Sequence, residues 1–135
     1  MRRLAFTLTV AVAACYSTGP ELENPPPNAA GEWSLATVDG VRLPAPAMIR
    51  GAAVSVVSSR LQMDRRSRWT GALEYDDGEA RDVIEFRGDW SQAGDRVTLA
   101  QDEGCTDTAT VTEGELRIAD DCDFGLDLMF VRAGR

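Results

Sequence analysis

The segment from Cys105 to Cys122, CTDTATVTEGELRIADDC, constrains the architecture more than any other stretch. Taking Glu113 and Gly114 as the central residues of a tight hairpin turn pairs Thr112 with Glu115, Val111 with Leu116, Ala109 with Ile118, and Cys105 with Cys122. Counted outward from that turn, the cysteines fall on a non-hydrogen-bonded pair. There the Cα atoms approach to about 4.5 Å and a disulfide closes with little strain. Ala109, Val111, Leu116 and Ile118 share the cysteines' face, while Thr106, Thr108, Thr110, Thr112, Glu115 and Arg117 share the other. One face packs and one is wet, and the bridge implies an oxidising compartment.

The same period of two runs through the preceding chain, with turn residues every eight to twelve positions. Trp33, Leu35 and Thr37 alternate with Ser34 and Ala36 up to a stop at Asp39 and Gly40, and Pro44 and Pro46 mark a loop. A second strand runs from about Ala53 to Met63, with Val57, Leu61 and Met63 on one face. Val54 and Val56 have the opposite parity, which predicts a bulge near Val56 or Val57. Trp69, Gly71, Leu73 and Tyr75 form the next inner face. A two-residue turn at Asp77 and Gly78 then opposes them to Phe86, Ile84, Asp82 and Ala80, with Asp82 the one residue out of keeping with the apolar face. A loop from Ser91 to Gly94 sets Gly88 against Val97 and Phe86 against Leu99, and the chain closes with Phe124, Leu126, Leu128 and Phe130 in alternation.

This pattern counts to eight strands joined by short connections, an all-β fold. With an even number, first and last strands can pair antiparallel, so the sheet closes into an eight-stranded antiparallel up-and-down β-barrel and loses its exposed edges. Closure places Trp33 beside Arg132, whose guanidinium over the indole contributes about 0.5 to 2 kcal/mol. A β-sandwich is the alternative, because periodicity does not report closure.

Ahead of the barrel lies a leader. Residues 1–14 carry two arginines and then LAFTLTVAVAA, an uncharged run of eleven, too short for a bilayer-spanning helix, which needs about 20 residues. The three-part form is that of an export signal. Val12, Ala13, Ala14 and Cys15 resemble a bacterial lipobox, which implies diacylglycerol on Cys15 and cleavage before it. This accounts for the odd cysteine among three. Removing Arg2 and Arg3 takes the net charge from −8 to −10, so the anchor is the lipid, at about 0.8 kcal/mol per buried methylene, and not basic residues. Tyr16 stands where an aspartate would resemble an inner-membrane retention signal, so the expected destination is the outer membrane. Residues 15–31 hold four of the six prolines and form a flexible tether; the domain follows at 32–133.

Gly31, Glu32 and Trp33 resemble the G-x-W signature that opens the first strand of lipocalins and the wider calycin group, and Arg132 matches their late arginine. The strings GEWSLATVDGVRLP and GDWSQAGDRVTL are also similar to small bacterial lipoproteins described as lipocalin-like. The resemblance spans residues 31–132 and implies a barrel that binds a small apolar ligand. The T-D-Y motif and C-terminal helix of true lipocalins are absent from the sequence.

Composition narrows the chemistry. The chain has no histidine and no lysine, which removes imidazole bases, imidazole ligands and Schiff-base lysines, and leaves Ser58 and Ser59 without an activating base. The acidity disfavours nucleic acid as a partner. Asp121, Asp123, Gly125 and Asp127 approximate the spacing of a calcium loop, but no glutamate follows at the bidentate position, so a solvated turn is the expectation. Arg65, Arg66 and Arg68 gather on one hairpin loop of odd length, where they either bind an anionic partner or offset surface acids. The expected function is therefore non-enzymatic, with no cofactor and no metal: an extracytoplasmic lipoprotein binding a small apolar molecule. The alternative is an envelope protein with a filled barrel that displays protein-binding surfaces. An enzyme would have to use an inward carboxylate such as Asp82.

Overall fold

The computed structural model describes residues 27–133. The leader and Cys15 lie outside the described residues. Ten strands form one antiparallel sheet: β1 (Gly31–Val38), β2 (Val41–Arg42), β3 (Ala45–Ile49), β4 (Ala52–Met63), β5 (Arg68–Asp76), β6 (Arg81–Ala93), β7 (Arg96–Gln101), β8 (Thr106–Thr112), β9 (Glu115–Ile118) and β10 (Leu128–Arg132). From β4 to β10 each strand pairs with the next. β1 pairs with β10 on one side and, through Gly31↔Met63 to Ser34↔Arg60, with β4 on the other. That double pairing closes an eight-stranded up-and-down barrel, with β2 and β3 as short extensions where β1 and β4 part.

Inside–outside alternation decides which residues fill it. Trp33, Leu35, Val38, Val54, Val56, Leu61, Met63, Trp69, Leu73, Val97, Leu99, Ala109, Val111, Leu116, Ile118, Leu128 and Phe130 are all buried. In β4 the pairing slips between Val56↔Tyr75 and Ser58↔Glu74, leaving Val57 as the extra residue of a bulge. The bulge puts Val54 and Val56 on the same side as Leu61 and Met63, and takes Val57 off the face the alternation assigned to it. A second bulge, between Leu35 and Thr37 of β1, was not legible in the sequence; it turns Val38 inward in place of Thr37.

Two turns sit further along the chain than the sequence suggested, each by an amount that preserves parity. Asp76 Oδ1 accepts from Gly78 N–H, and Asp77 Oδ1 accepts from Glu79 and Ala80 N–H, so Gly78 and Glu79 become the turn centre. Tyr75 then faces Asp82, and Leu73 faces Ile84. At the β6–β7 turn, Gly94 takes the positive φ, β6 runs on to Ala93, and Gly88 faces Gln101 instead of Val97. The loop expected around Pro44 and Pro46 is in part strand: β3 pairs with β4 from Ala45↔Val56 to Ile49↔Ala52. With a two-residue turn at Arg50–Gly51, Pro46 occupies a non-hydrogen-bonded position, so its missing N–H faces the free edge and costs no ladder bond.

The residues just before Gly31 also pack on the barrel. Ala29 is fully buried, its N–H donating to Gln92 Oε1, and its carbonyl accepts the Trp33 indole N–H at 2.9 Å. Gln92 Nε2 donates to Pro27 O, and Arg132 donates to Ala30 O at 2.6 Å and to Asn28 O. Residues 27–30, which the sequence reading placed ahead of the domain, are thus hydrogen-bonded to the barrel. Arg132 also stands opposite Trp33 in the ladder, its guanidinium carbon 4.2 Å from the ring centre.

Candidate functional site

One end of the barrel departs from the rule that inward positions are apolar. Alternation along β8 turns Asp107 inward, opposite Leu99, and the sequence reading passed over it among the threonines of that strand. β9 stops at Ile118, and residues 119–127 form a loop across this end before β10 begins at Leu128. The last strand is therefore shorter than its hydrophobic alternation implied, although Leu126 is buried and Phe124 is half-buried.

Asp121 organises the loop. Its Oδ1 accepts from Leu126 N–H at 2.8 Å, its Oδ2 from the N–H groups of Asp123 and Phe124, and its own N–H donates to Leu126 O. At 5% exposure it is the buried charged residue among those described. Burial pushes its carboxyl above the ordinary range against the pull of those three donors. The aspartate spacing that approximates a calcium loop thus builds a carboxylate-centred turn: Asp127 Oδ1 takes the Asp120 N–H, and Asp127 N–H donates to Asp39 Oδ1 at the end of β1.

Three ties hold this turn to the wall. Cys122 is bridged to Cys105, with Cα atoms 5.9 Å apart. The bridge joins two loop residues and not a ladder pair, which explains the separation wider than the 4.5 Å expected. Cys122 N–H donates to Asp107 Oδ1 at 2.8 Å, and Gln101 Nε2 donates to Asp123 Oδ2 at 2.6 Å. Carboxylate oxygens of Asp107, Asp121 and Asp123 lie within 4.8 Å of one another, close enough for one ion to reach all three. The two sulfurs beside Asp123 are bonded to each other and offer no ligand. Burial first, and then the charges of Asp121 and Asp123, raise the Asp107 carboxyl to about 6 against the pull of the Cys122 N–H.

Beneath the loop lies a small, partly open cavity, lined by Trp69, Leu73, Phe86, Leu99, Phe124 and Phe130 with Asp107 and Asp121 among its walls. Its volume is about 40 Å³, room for about two or three waters against the several hundred Å³ of a drug-sized site. Phe124 seats edge-on against Phe86, centroids 6.4 Å apart at 72°. Trp33, Trp69 and Phe130 are buried in the barrel, and Tyr75, Phe86, Trp90 and Phe124 pack half-buried against this core.

The remaining sequence candidates are apart from this end. Asp82 is exposed and pairs with Tyr75, whose hydroxyl donates to it at 3.4 Å. Arg68 leaves the arginine loop to form ion pairs with Asp102 at 2.7 Å and Asp89 at 2.8 Å, while Arg65 and Arg66 are exposed. Arg68 holds the Asp102 carboxyl below its usual range. Together the fold and this end define a closed antiparallel β-barrel with a disulfide-pinned loop over one mouth. Comparison with family models, with curated proteins and with solved structures finds no match.

Proposed function

We propose that the chain is an extracytoplasmic lipoprotein, anchored through Cys15, whose lipocalin-like barrel serves as a rigid interaction module and binds its partner on the outside. The interior volume carries this reading: about 40 Å³ cannot take up an apolar molecule of the size such barrels enclose. The larger hollows are on the wall, as in the open groove of about 650 Å³ lined by Arg60, Gln62, Thr70, Ala72, Glu85 and Arg87. The disulfide supports an oxidising compartment. The Trp33–Arg132 pairing supports the lipocalin-like resemblance. The role is non-enzymatic, with the scaffold presenting surface.

The test is to isolate the native protein from the envelope of producing cells without detergent exchange, then combine cross-linking with organic extraction and mass spectrometry. The expected result is a reproducibly cross-linked protein and no stoichiometric small molecule. An apolar compound recovered at one per chain would overturn the reading in favour of a small-ligand carrier. Lipidation is checked separately, by the mass of the N-terminal peptide and by loss of membrane association in Cys15→Ala.

A further inference from the structure

Part of β6 has a neighbour on one side only. Its pairing with β7 begins at Gly88↔Gln101 and runs to the turn, whereas its pairing with β5 extends from Arg68↔Asp89 to Asp76↔Arg81. Residues 81–87 therefore border β5 and carry no strand on their far side among the described residues. The phase of the ladder decides which backbone groups this leaves open. Asp77 N–H donates to Ala80 O across the turn, so the even-numbered residues of β6 bond to β5. Arg81, Val83, Glu85 and Arg87 point their N–H and C=O groups the other way. Arg87 O has that direction, accepting from Asp102 N–H, and Val83 N–H meets the carboxylate of its own neighbour, Asp82 Oδ1, at 2.9 Å.

This edge is open to solvent. Arg81, Asp82, Val83 and Glu85 are exposed, and Val83, at 50%, is one of three large apolar residues so placed among those described. The free edge of β3 is blunted by Pro46, but residues 81–87 contain no proline.

We infer that residues 81–85 pair antiparallel with the same residues of a second copy of the chain, about a two-fold axis at Val83, so that the sheet runs from one barrel into the next. Hydrogen-bond phase and charge together select this axis. An axis between two residues would set open backbone groups against bonded ones. An axis at Ile84 would set Arg81 against Arg87, one at Asp82 would set Asp82 against itself, and axes at Arg81 or Glu85 would do the same to those charges. Like charges directly opposite destabilise a ladder, and opposite charges support it. The axis at Val83 places Arg81 against Glu85 twice and Val83 against Val83, and brings Glu79 of the turn level with Arg87.

The groups involved are free to make the exchange. Glu85 has no ion pair among the described residues, and the contacts of Arg81 with Glu74 at 3.3 Å and Asp76 at 3.9 Å are exposed ones, which rearrange at little cost. Asp82 gives up the Val83 N–H to the Val83 carbonyl of the second copy and stands opposite Ile84, with the Tyr75 hydroxyl still beside it. The new ladder holds about six backbone hydrogen bonds. This contact is additional to the external partner proposed above and needs no other protein.

The experiment is disulfide trapping of full-length Val83→Cys in producing cells, with mild oxidant and non-reducing electrophoresis. Across a hydrogen-bonded pair the Cα atoms are about 5.5 Å apart, within reach of a disulfide. A cross-linked dimer is expected, well above that of Met48→Cys, an equally exposed residue on the β3 edge, and above the wild-type background from Cys15. Adding Glu85→Arg is expected to lower the yield about tenfold, since two attractive pairs become repulsive, and adding Arg81→Glu to that variant is expected to restore it. These side chains lie outside the core, so the circular dichroism of the barrel should hold throughout. The pairing is overturned if Val83→Cys gives no more dimer than Met48→Cys, or if it is trapped on a different protein instead. A yield indifferent to Glu85→Arg, or a double reversal that fails to recover in a folded barrel, overturns the register and with it the inference.

Discussion

Gly88 marks where β6 leaves β5 and joins β7, and the two backbones there approach too closely for any side chain. A Cβ on Gly88 would lie 1.8 Å from Ala100 O, 2.7 Å from Ala100 C and 2.8 Å from Gln101 Cα, where ordinary contact begins at 3.4 Å. The obstacle is backbone, so no rotamer relieves it; β7 must retreat by more than an ångström. That opens the pairings Gly88↔Gln101 and Asp89↔Ala100 and pulls Ala100 O from the Trp69 indole. Two hydrogen bonds at about 1 kcal/mol each, with about 1 to 3 kcal/mol of overpacking, give about 3 to 5 kcal/mol for Gly88→Ala. Gly71→Ala is the matched control, since its new Cβ would meet the side-chain atoms Leu61 Cδ2 at 3.0 Å and Trp69 Cζ3 at 3.2 Å. Those can shift, so the expected cost is about 1 kcal/mol. Urea unfolding followed by tryptophan fluorescence measures both. A Gly88→Ala protein within about 1 kcal/mol of the wild type, or equal to Gly71→Ala, would refute the crossing geometry.

Three other outcomes are expected. Opening the Cys105–Cys122 bridge, whose partners are 17 apart in sequence, costs about 3 kcal/mol on the loop-entropy model; Cys122→Ser should show it by the same unfolding assay, without a change in barrel circular dichroism. Arg132→Gln removes the cation from the Trp33 face and the donors from Ala30 and Asn28, so a loss of about 2 to 4 kcal/mol is expected with faster proteolysis at residues 27–30. Because burial raises Asp107 from 3.8 to about 6, stability should decline between pH 4 and 6.5 by about 1.5 kcal/mol, half the full linkage value on account of exposure. Asp107→Asn should remove that slope in thermal melts taken across the range.

Parity was the legible part of this fold. The barrel strands, the Val111↔Leu116 register, the bulge at Val57 and the Trp33–Arg132 position all follow from counting twos outward from turns, because a buried face tolerates no slip. The turns around Gly78 and Gly94 moved by two and four positions in pairing because aspartate side chains and glycine φ select the turn centre, and steps of two leave the inward set unchanged. Pro46 misled because its missing N–H is harmless on an edge strand, and position in the sheet is not written in the residue itself. The site was the least readable part. Asp121 and Asp123 were visible as an acidic run, but their partner Asp107 comes from another strand, and only the closed barrel brings the three together. Whether the aromatics fill the interior was equally out of reach, since alternation assigns a direction to each ring and no volume.

β1 carries the chain from Gly31 near one end of the cylinder to Val38, just before Asp39, at the other, eight residues that at about 3.3 Å each span some 25 Å. Asp39 is where the disulfide-pinned loop is fastened. The chain's entry into the barrel and the acidic loop therefore lie at opposite ends of one strand, so the two mouths of the cylinder present different chemistry.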